Sequence, residues 1–165
     1  MTSATIALLA VLALAGPTPT GVPPNIVVPP VYRVTVGDMF RYSPTFRRQC
    51  SRLARASDLR IDLTPSLQPG LPPGEALTRI MRRAGGTIEA DVQIGPTAEP
   101  AQLIAHEFEH ILEQLDGVDL PSMATRAATG VHLVRGSGHF ETDRAIAAGR
   151  RVAEEVNRGR TRRGL

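Results

Sequence analysis

The segment that decides the fold is residues 98–115, A-E-P-A-Q-L-I-A-H-E-F-E-H-I-L-E-Q-L. Its apolar residues recur at spacings of three and four, which predicts an amphipathic helix that ends near Asp116 and Gly117. On a helical wheel His106 and His110 lie within about 40° of each other. The opposite side of the wheel carries the stripe that we expect in the core: Ile104, Phe108, Ile111, Leu112 and Leu115.

Residues 106–110 match the pattern H-E-x-x-H. Two His four residues apart on a helix can bind one metal ion together, and the Glu after the first His can take a proton from a metal-bound water. A chance match is expected about once in two hundred chains of this composition. The competing interpretation is a pair of plain surface histidines. We predict His106 and His110 as metal ligands and Glu107 as the catalytic base.

A catalytic zinc site needs a third protein ligand. Residues 140–157 predict a last helix, and Glu141 falls on its apolar side, where an unpaired carboxylate is costly and a metal would compensate for it. The competing interpretation is that Glu141 only favours the helix N-terminus through the helix dipole. We predict Glu141 as the third ligand. The apolar residues that share its side are Ala145, Ala148, Val152 and Val156.

Four other residues are candidates for the third ligand, and their positions in the chain and on the predicted helices decide between them. His139 is the alternative to Glu141, because it lies two residues away in a Gly-flanked turn. Glu113 shares a helix with both His, so a role in orienting an imidazole suits it better. His132 is a further candidate. Asp143 lies on the far face of the last helix, which argues against it.

The remaining segments predict an α+β fold, a small sheet packed on helices. Alternating and β-branched patterns predict strands at 32–36, 59–63 and 87–94. Capping and turn residues predict helices at 43–57, with Ser43 or Thr45 as the cap, and at 74–84, ended by Gly85 and Gly86. A short helix is predicted near 123–128, within an otherwise irregular stretch, 117–138.

The sequence of the N-terminus predicts a targeting signal rather than a part of the folded core. Residues 6–15 are an apolar run that suits a signal peptide, so we expect residues 1–15 to be removed and the protein to be secreted or periplasmic. An uncleaved anchor or a plain leader is the alternative, because no basic residue precedes the run. Residues 16–30 predict a Pro-rich linker, 31–158 the folded domain and 159–165 a basic disordered tail.

The charge and the cysteine content argue against a nucleic-acid partner and against an internal disulfide. The net charge is +3 and the pI about 9.9, but every basic side chain is Arg and the Arg residues are scattered. We therefore expect no nucleic-acid partner. Cys50 is the one cysteine, so no internal disulfide forms, and its pattern predicts a buried, unreactive thiol.

The residues at 106–110 and 138–145 together resemble the zincin metallopeptidases, and within them the gluzincin type. The resemblance implies a minimal zincin-like domain with an HExxH active-site helix and a later glutamate helix. It implies Zn²⁺ at His106, His110 and Glu141 with Glu107 as general base, and an extended substrate along strand 87–94. The chain departs from the pattern at Ala145, where many gluzincins carry an Asp, and it is short for the class.

These observations predict a zinc-dependent metallopeptidase that hydrolyses peptide bonds through a zinc-bound water activated by Glu107. A peptide or protein would be its substrate, and no stable membrane span is expected once the leader is cleaved. The second donor to the developing oxyanion would be His132, Arg135 or His139. The alternative function is a catalytically silent zinc-binding domain that binds a partner, and a third is a secreted binding domain without metal.

Overall fold

The computed structural model describes residues 21–66, 71–134 and 138–164. The elements follow the order β-α-α-β-β-β-α-α-β-β-α, with a 3₁₀ turn at Pro30–Tyr32. In chain order they are β1 (Ile26–Val27), α1 (Arg33–Tyr42), α2 (Pro44–Leu53), β2 (Leu59–Pro65), β3 (Ala76–Arg82), β4 (Ile88–Ile94), α3 (Pro100–Leu115), α4 (Leu120–Ala124), β5 (Val131–Leu133), β6 (Phe140–Thr142) and α5 (Asp143–Thr161).

The main sheet has the strand order β1-β2-β4-β3. β1, β2 and β4 run parallel, and β3 runs antiparallel to β4 and forms one edge. Alternate side chains of β2 and β4 are buried against helices, whereas the residues between them are polar or charged. The sheet therefore has one core face, as the sequence predicted for a small sheet packed on helices. The buried set is Leu59, Ile61, Leu63, Ala90, Val92 and Ile94.

Helix α3 lies between the sheet and α5. Its predicted stripe is buried except for Leu115, which is only partly covered. On its other side α5 crosses closely at Gly149, where an added Cβ would lie 2.8 Å from the carbonyl oxygen of Gln102 and 3.2 Å from Cβ of His106. Glycine at this crossing brings α5 against the helical turn that carries the first His.

Two predicted elements are wrong in type. Residues 32–36 are helical rather than a strand: Tyr32 ends the 3₁₀ turn and residues 33–36 begin α1. Tyr32 and Val36 are buried, but Val34, which a strand would place on the same face, is exposed, and buried Met39 continues the helical spacing. Within the helix predicted at 74–84, residues 76–82 instead form β3, because they pair with β4 along its whole length. Gly85 and Gly86 have positive φ and make the hairpin turn.

The other predicted elements are present with shifted ends. The strands at 59–63 and 87–94 are confirmed as β2 and β4, and the helices at 43–57 and 98–115 as α2 and α3. The short helix predicted at 123–128 forms earlier, as α4, with the Asp119 side chain accepting from the Ser122 amide. The hairpin of β5 and β6 was not predicted, and α5 begins only after it.

The predicted linker and tail both extend into the folded body. Ile26 pairs with Ile61 and is buried, as is Val28, so the fold begins before Val31. At the other end α5 continues through Thr161, and Arg160 forms an ion pair with Asp38 at 2.7 Å. The predicted signal peptide lies outside the described residues and stays a prediction. No helix in the described ranges combines the length and the apolar character needed to cross a membrane.

The start of α2 is held by a carboxylate from α5. Ser43 caps the helix by accepting from the Phe46 amide, and it donates to Glu155 Oε2 at 2.5 Å. Thr45 donates to the same carboxylate from its amide and from its hydroxyl, at 3.1 and 2.9 Å. Burial raises the pKa of Glu155, but these hydrogen bonds outweigh it and hold the pKa below its ordinary value.

Glu155→Gln should lower the free energy of unfolding by about 1–3 kcal/mol at pH 7, since charge-assisted hydrogen bonds are lost. Because the pKa of Glu155 is lower in the folded than in the unfolded state, the ionised carboxylate stabilises the protein at pH values above the unfolded-state pKa. This stabilisation is lost as the pH falls through the folded-state pKa. Denaturation at several pH values should therefore show the deficit shrinking towards acid pH. Glu154→Gln is the control, because that side chain is exposed. An equal loss in both variants, or a deficit independent of pH, would contradict the account.

Candidate metal centre

His106 and His110 occupy successive turns of α3, with ring centroids 4.8 Å apart. Glu141 reaches them from β6, immediately before α5. These three side chains are the only group of His, Cys, Asp and Glu in the described ranges whose ligand atoms converge closely enough to hold a metal ion. The structure thus brings together the three residues that the sequence analysis predicted as metal ligands.

The donor atoms form a nearly equilateral triangle. The two Nε2 atoms lie 3.2 Å apart, and Glu141 Oε1 lies 3.1 Å from His106 Nε2 and 3.4 Å from His110 Nε2. Zinc bound tetrahedrally by nitrogen and oxygen at 2.0–2.2 Å separates neighbouring donors by about 3.3 Å. Two imidazole lone pairs cannot face each other at this distance without a proton or a cation between them. The triangle therefore fits three corners of a tetrahedral zinc site.

The electrostatics of the group favour a cation. Burial lowers the pKa of His110, but hydrogen bonds to Glu113 and Glu141 and the nearby carboxylate charges raise it to about 9. Burial raises the pKa of Glu141, but hydrogen bonds to both His outweigh it and lower the pKa well below its ordinary value. The same negative potential that holds a proton on His110 would stabilise a divalent ion in its place.

Glu113 lies outside the converging group of three and contacts one of its members. Its Oε2 lies 2.9 Å from His110 Nδ1, the ring nitrogen that faces away from the triangle. With a proton on Nδ1, the Nε2 lone pair of His110 points into the group. This is the orienting role that the sequence analysis favoured for Glu113 over that of a ligand.

Glu107 lies in the same turn of α3 as the ligands and is almost fully buried. Burial raises its pKa, and this effect exceeds the opposing effects of Thr78 and of the two nearby His. A carboxylate with a raised pKa beside this group of potential ligands is suited to accept and return a proton.

The group opens into a cleft of about 780 Å³ between β3, α3 and the β5–β6 region. β3 forms one wall, with Ala76, Thr78 and Ile80 facing the cleft. This corrects the expectation from the resemblance, which assigned the substrate edge to strand 87–94. That strand is β4, an interior strand, whereas among the described residues β3 has a strand neighbour on one side only. A smaller groove between α2 and α5, about 540 Å³, contains none of the four His.

The remaining sequence candidates fall on different sides of the molecule. His139 lines the cleft but stands outside the triangle. His132 and Asp143 lie 3.2 Å apart at the surface, so neither is a ligand. Arg135 lies outside the described residues. Two residues that touch the site were not predicted, Thr78 on β3 and Thr142 at the start of α5.

Glu141 lies beside the two His, but on β6 rather than on the predicted last helix. It belongs to β6 and pairs with His132 across the hairpin, so the helical-wheel argument does not apply to it. The helix begins two residues later because Thr142 is its N-cap, with its hydroxyl accepting from the Ala145 amide at 3.0 Å. Glu141 is thus fixed by a strand and a cap together.

Comparison of the chain with sequence models of protein families, with curated proteins and with solved structures gives no match. The geometry of this group and its cleft is therefore what indicates a function for the chain.

Proposed function

We propose that this protein is a zinc-dependent metallopeptidase of the zincin type, with zinc held by His106, His110 and Glu141. The observation that carries the proposal is the convergence of these three donors, at tetrahedral spacing, next to a buried glutamate in a cleft. Nitrogen and carboxylate donors of this kind suit zinc. Three protein ligands leave the fourth position for water, as in catalytic rather than structural sites.

A bound zinc ion would supply Lewis acidity to a water molecule and to the substrate carbonyl. Glu107 takes the proton from that water, because it is the buried carboxylate of the cleft that is not a ligand. The water oxygen bonds to the carbonyl carbon, and the C–N bond then breaks. Glu107 returns the proton to the leaving amine, so the residue ends the cycle as it began.

The form of the cleft supports a peptide substrate. β3 is an edge strand, and an extended peptide can add to such an edge through main-chain hydrogen bonds. Its wall is apolar where Ala76, Leu77 and Ile80 contribute to it. A strand-like peptide lying beside β3 would place a carbonyl group near Glu107, which lines the same cleft.

The proposal is tested by incubating the zinc-loaded full chain with an unfolded protein substrate and mapping cleavage by mass spectrometry. Cleavage that disappears with chelator and in His110→Ala supports it. Zinc binding without any cleavage would favour the alternative of a catalytically silent zinc-binding domain, and no zinc binding would favour a domain without metal.

His139 should be the second donor to the developing oxyanion, since it lines the cleft and His132 does not. His139→Ala should reduce kcat/KM by about 10²- to 10³-fold, the usual effect of removing one such donor. His132→Ala is the matched control and should leave peptide hydrolysis unchanged. Loss of activity in His132→Ala alone would reverse the assignment, and loss in neither would leave Arg135 as the donor.

A further inference from the structure

We propose that Glu113 and Thr142 form a buried bridge that positions two metal ligands at once, the ring of His110 and the carboxylate of Glu141. The inference rests on the proposed metal site and goes beyond it, because it states how α3 and the start of α5 are locked together.

Glu113 is 2 % exposed and uses both oxygens. Oε2 lies 2.9 Å from His110 Nδ1, and Oε1 accepts a hydrogen bond from the Thr142 hydroxyl at 2.7 Å. A buried carboxylate that lacked such donors would be costly. One carboxylate oxygen of Glu113 therefore contacts His110 on α3, and the other contacts Thr142, the residue next to Glu141.

Thr142 is equally buried and has three hydrogen bonds with distinct roles. Its hydroxyl donates to Glu113 and accepts from the Ala145 amide, which fixes the first turn of α5. Its own amide donates to Glu141 Oε1 at 2.9 Å, the oxygen that faces both His. Thr142 thus orients the neighbouring ligand while Glu113 holds Thr142 in place.

The bridge supplies a carboxylate that the position four residues after Glu141 does not offer. Position 145, four residues after Glu141, is Ala145, which is fully buried and cannot bond to an imidazole. The carboxylate that orients a ligand His instead comes from α3, three residues after His110. A ligand that is already held in its binding orientation loses less conformational freedom when the metal binds. The bridge should therefore increase the affinity for the metal.

The test compares zinc dissociation constants and the visible absorption spectrum of the cobalt-loaded protein, both on the full chain. Glu113→Gln should weaken zinc binding by about 10- to 100-fold and shift the cobalt spectrum. Thr142→Val should weaken zinc binding in the same direction, and Thr142→Ser, which keeps the hydroxyl, should restore it. The thermal stability of each metal-free variant is recorded so that unfolded protein is not mistaken for lost affinity.

Glu109→Gln is the matched control. Glu109 is also buried on α3, but it contacts Gln49 and Arg144 rather than a ligand. Its loss should lower stability and leave zinc affinity and the cobalt spectrum unchanged. Unchanged zinc binding in Glu113→Gln, or equal weakening in Glu109→Gln, would overturn the bridge. A wild-type chain that binds no zinc would instead overturn the proposed function on which the bridge rests.

Discussion

Glu107→Gln should reduce peptide hydrolysis by about 10²- to 10⁴-fold, the usual contribution of a general base. Gln has nearly the shape of Glu but cannot take the proton from water. Zinc affinity should remain, because Glu107 is not among the converging donors. Thermal stability should not fall, since replacing a buried carboxylate with a neutral amide removes a desolvation cost.

This result is measured as kcat/KM on a peptide that the wild-type protein cleaves, beside zinc affinity and thermal melting of the same samples. Glu109→Gln serves as the control, because it removes a second buried carboxylate from the same helix without facing the cleft. Turnover retained in Glu107→Gln would remove the base from the mechanism. Equal loss of turnover in Glu109→Gln would attribute the effect to helix packing instead.

Zinc should also stabilise the fold. An ion that binds only the folded state adds about 2.7 kcal/mol to the free energy of unfolding when its concentration is 100 times Kd. For a domain of this size that corresponds to a rise in Tm of roughly 5–10 °C. An ion held by the three residues would join α3 to β6 and the start of α5, so its effect should reach the whole cooperative unit.

The shift in Tm is measured by calorimetry with zinc and with chelator. His132→Ala should keep the shift, because His132 lies at the surface with Asp143. His110→Ala should lose it. A chelator that leaves the wild-type Tm unchanged, or a shift that persists in His110→Ala, would contradict binding at this group.

The sequence predicts α3 well because its apolar period and its chemistry point to the same helix. The stripe of Ile104 and Phe108 sets one side, and the two His follow on the other. The apolar stripe and the two His all lie within the sixteen residues of α3, so both can be recognised without the rest of the chain. The sheet that covers this stripe is likewise predicted where alternation is regular, in β2 and β4.

Prediction from the sequence is wrong where contacts with a distant segment of the chain determine the local structure. Residues 76–82 become a strand because β4 offers an edge, and nothing within the segment indicates that edge. Glu141 depends on the hairpin of β5 and β6, which is too short to leave a clear period. The partnership of Glu113 with Thr142 joins residues 29 positions apart. Such a contact follows from the packing of α3 on α5 and cannot be read from either segment alone.

The central claim is that His106, His110 and Glu141 hold one zinc ion, and zinc stoichiometry tests it most directly. Purified full chain would be dialysed against zinc, freed of excess ion and analysed for metal, beside His110→Ala and the surface control His132→Ala. We predict one zinc per chain in the wild-type protein and in His132→Ala, and none in His110→Ala. A wild-type chain without zinc, or the same zinc content in His110→Ala, would contradict the account.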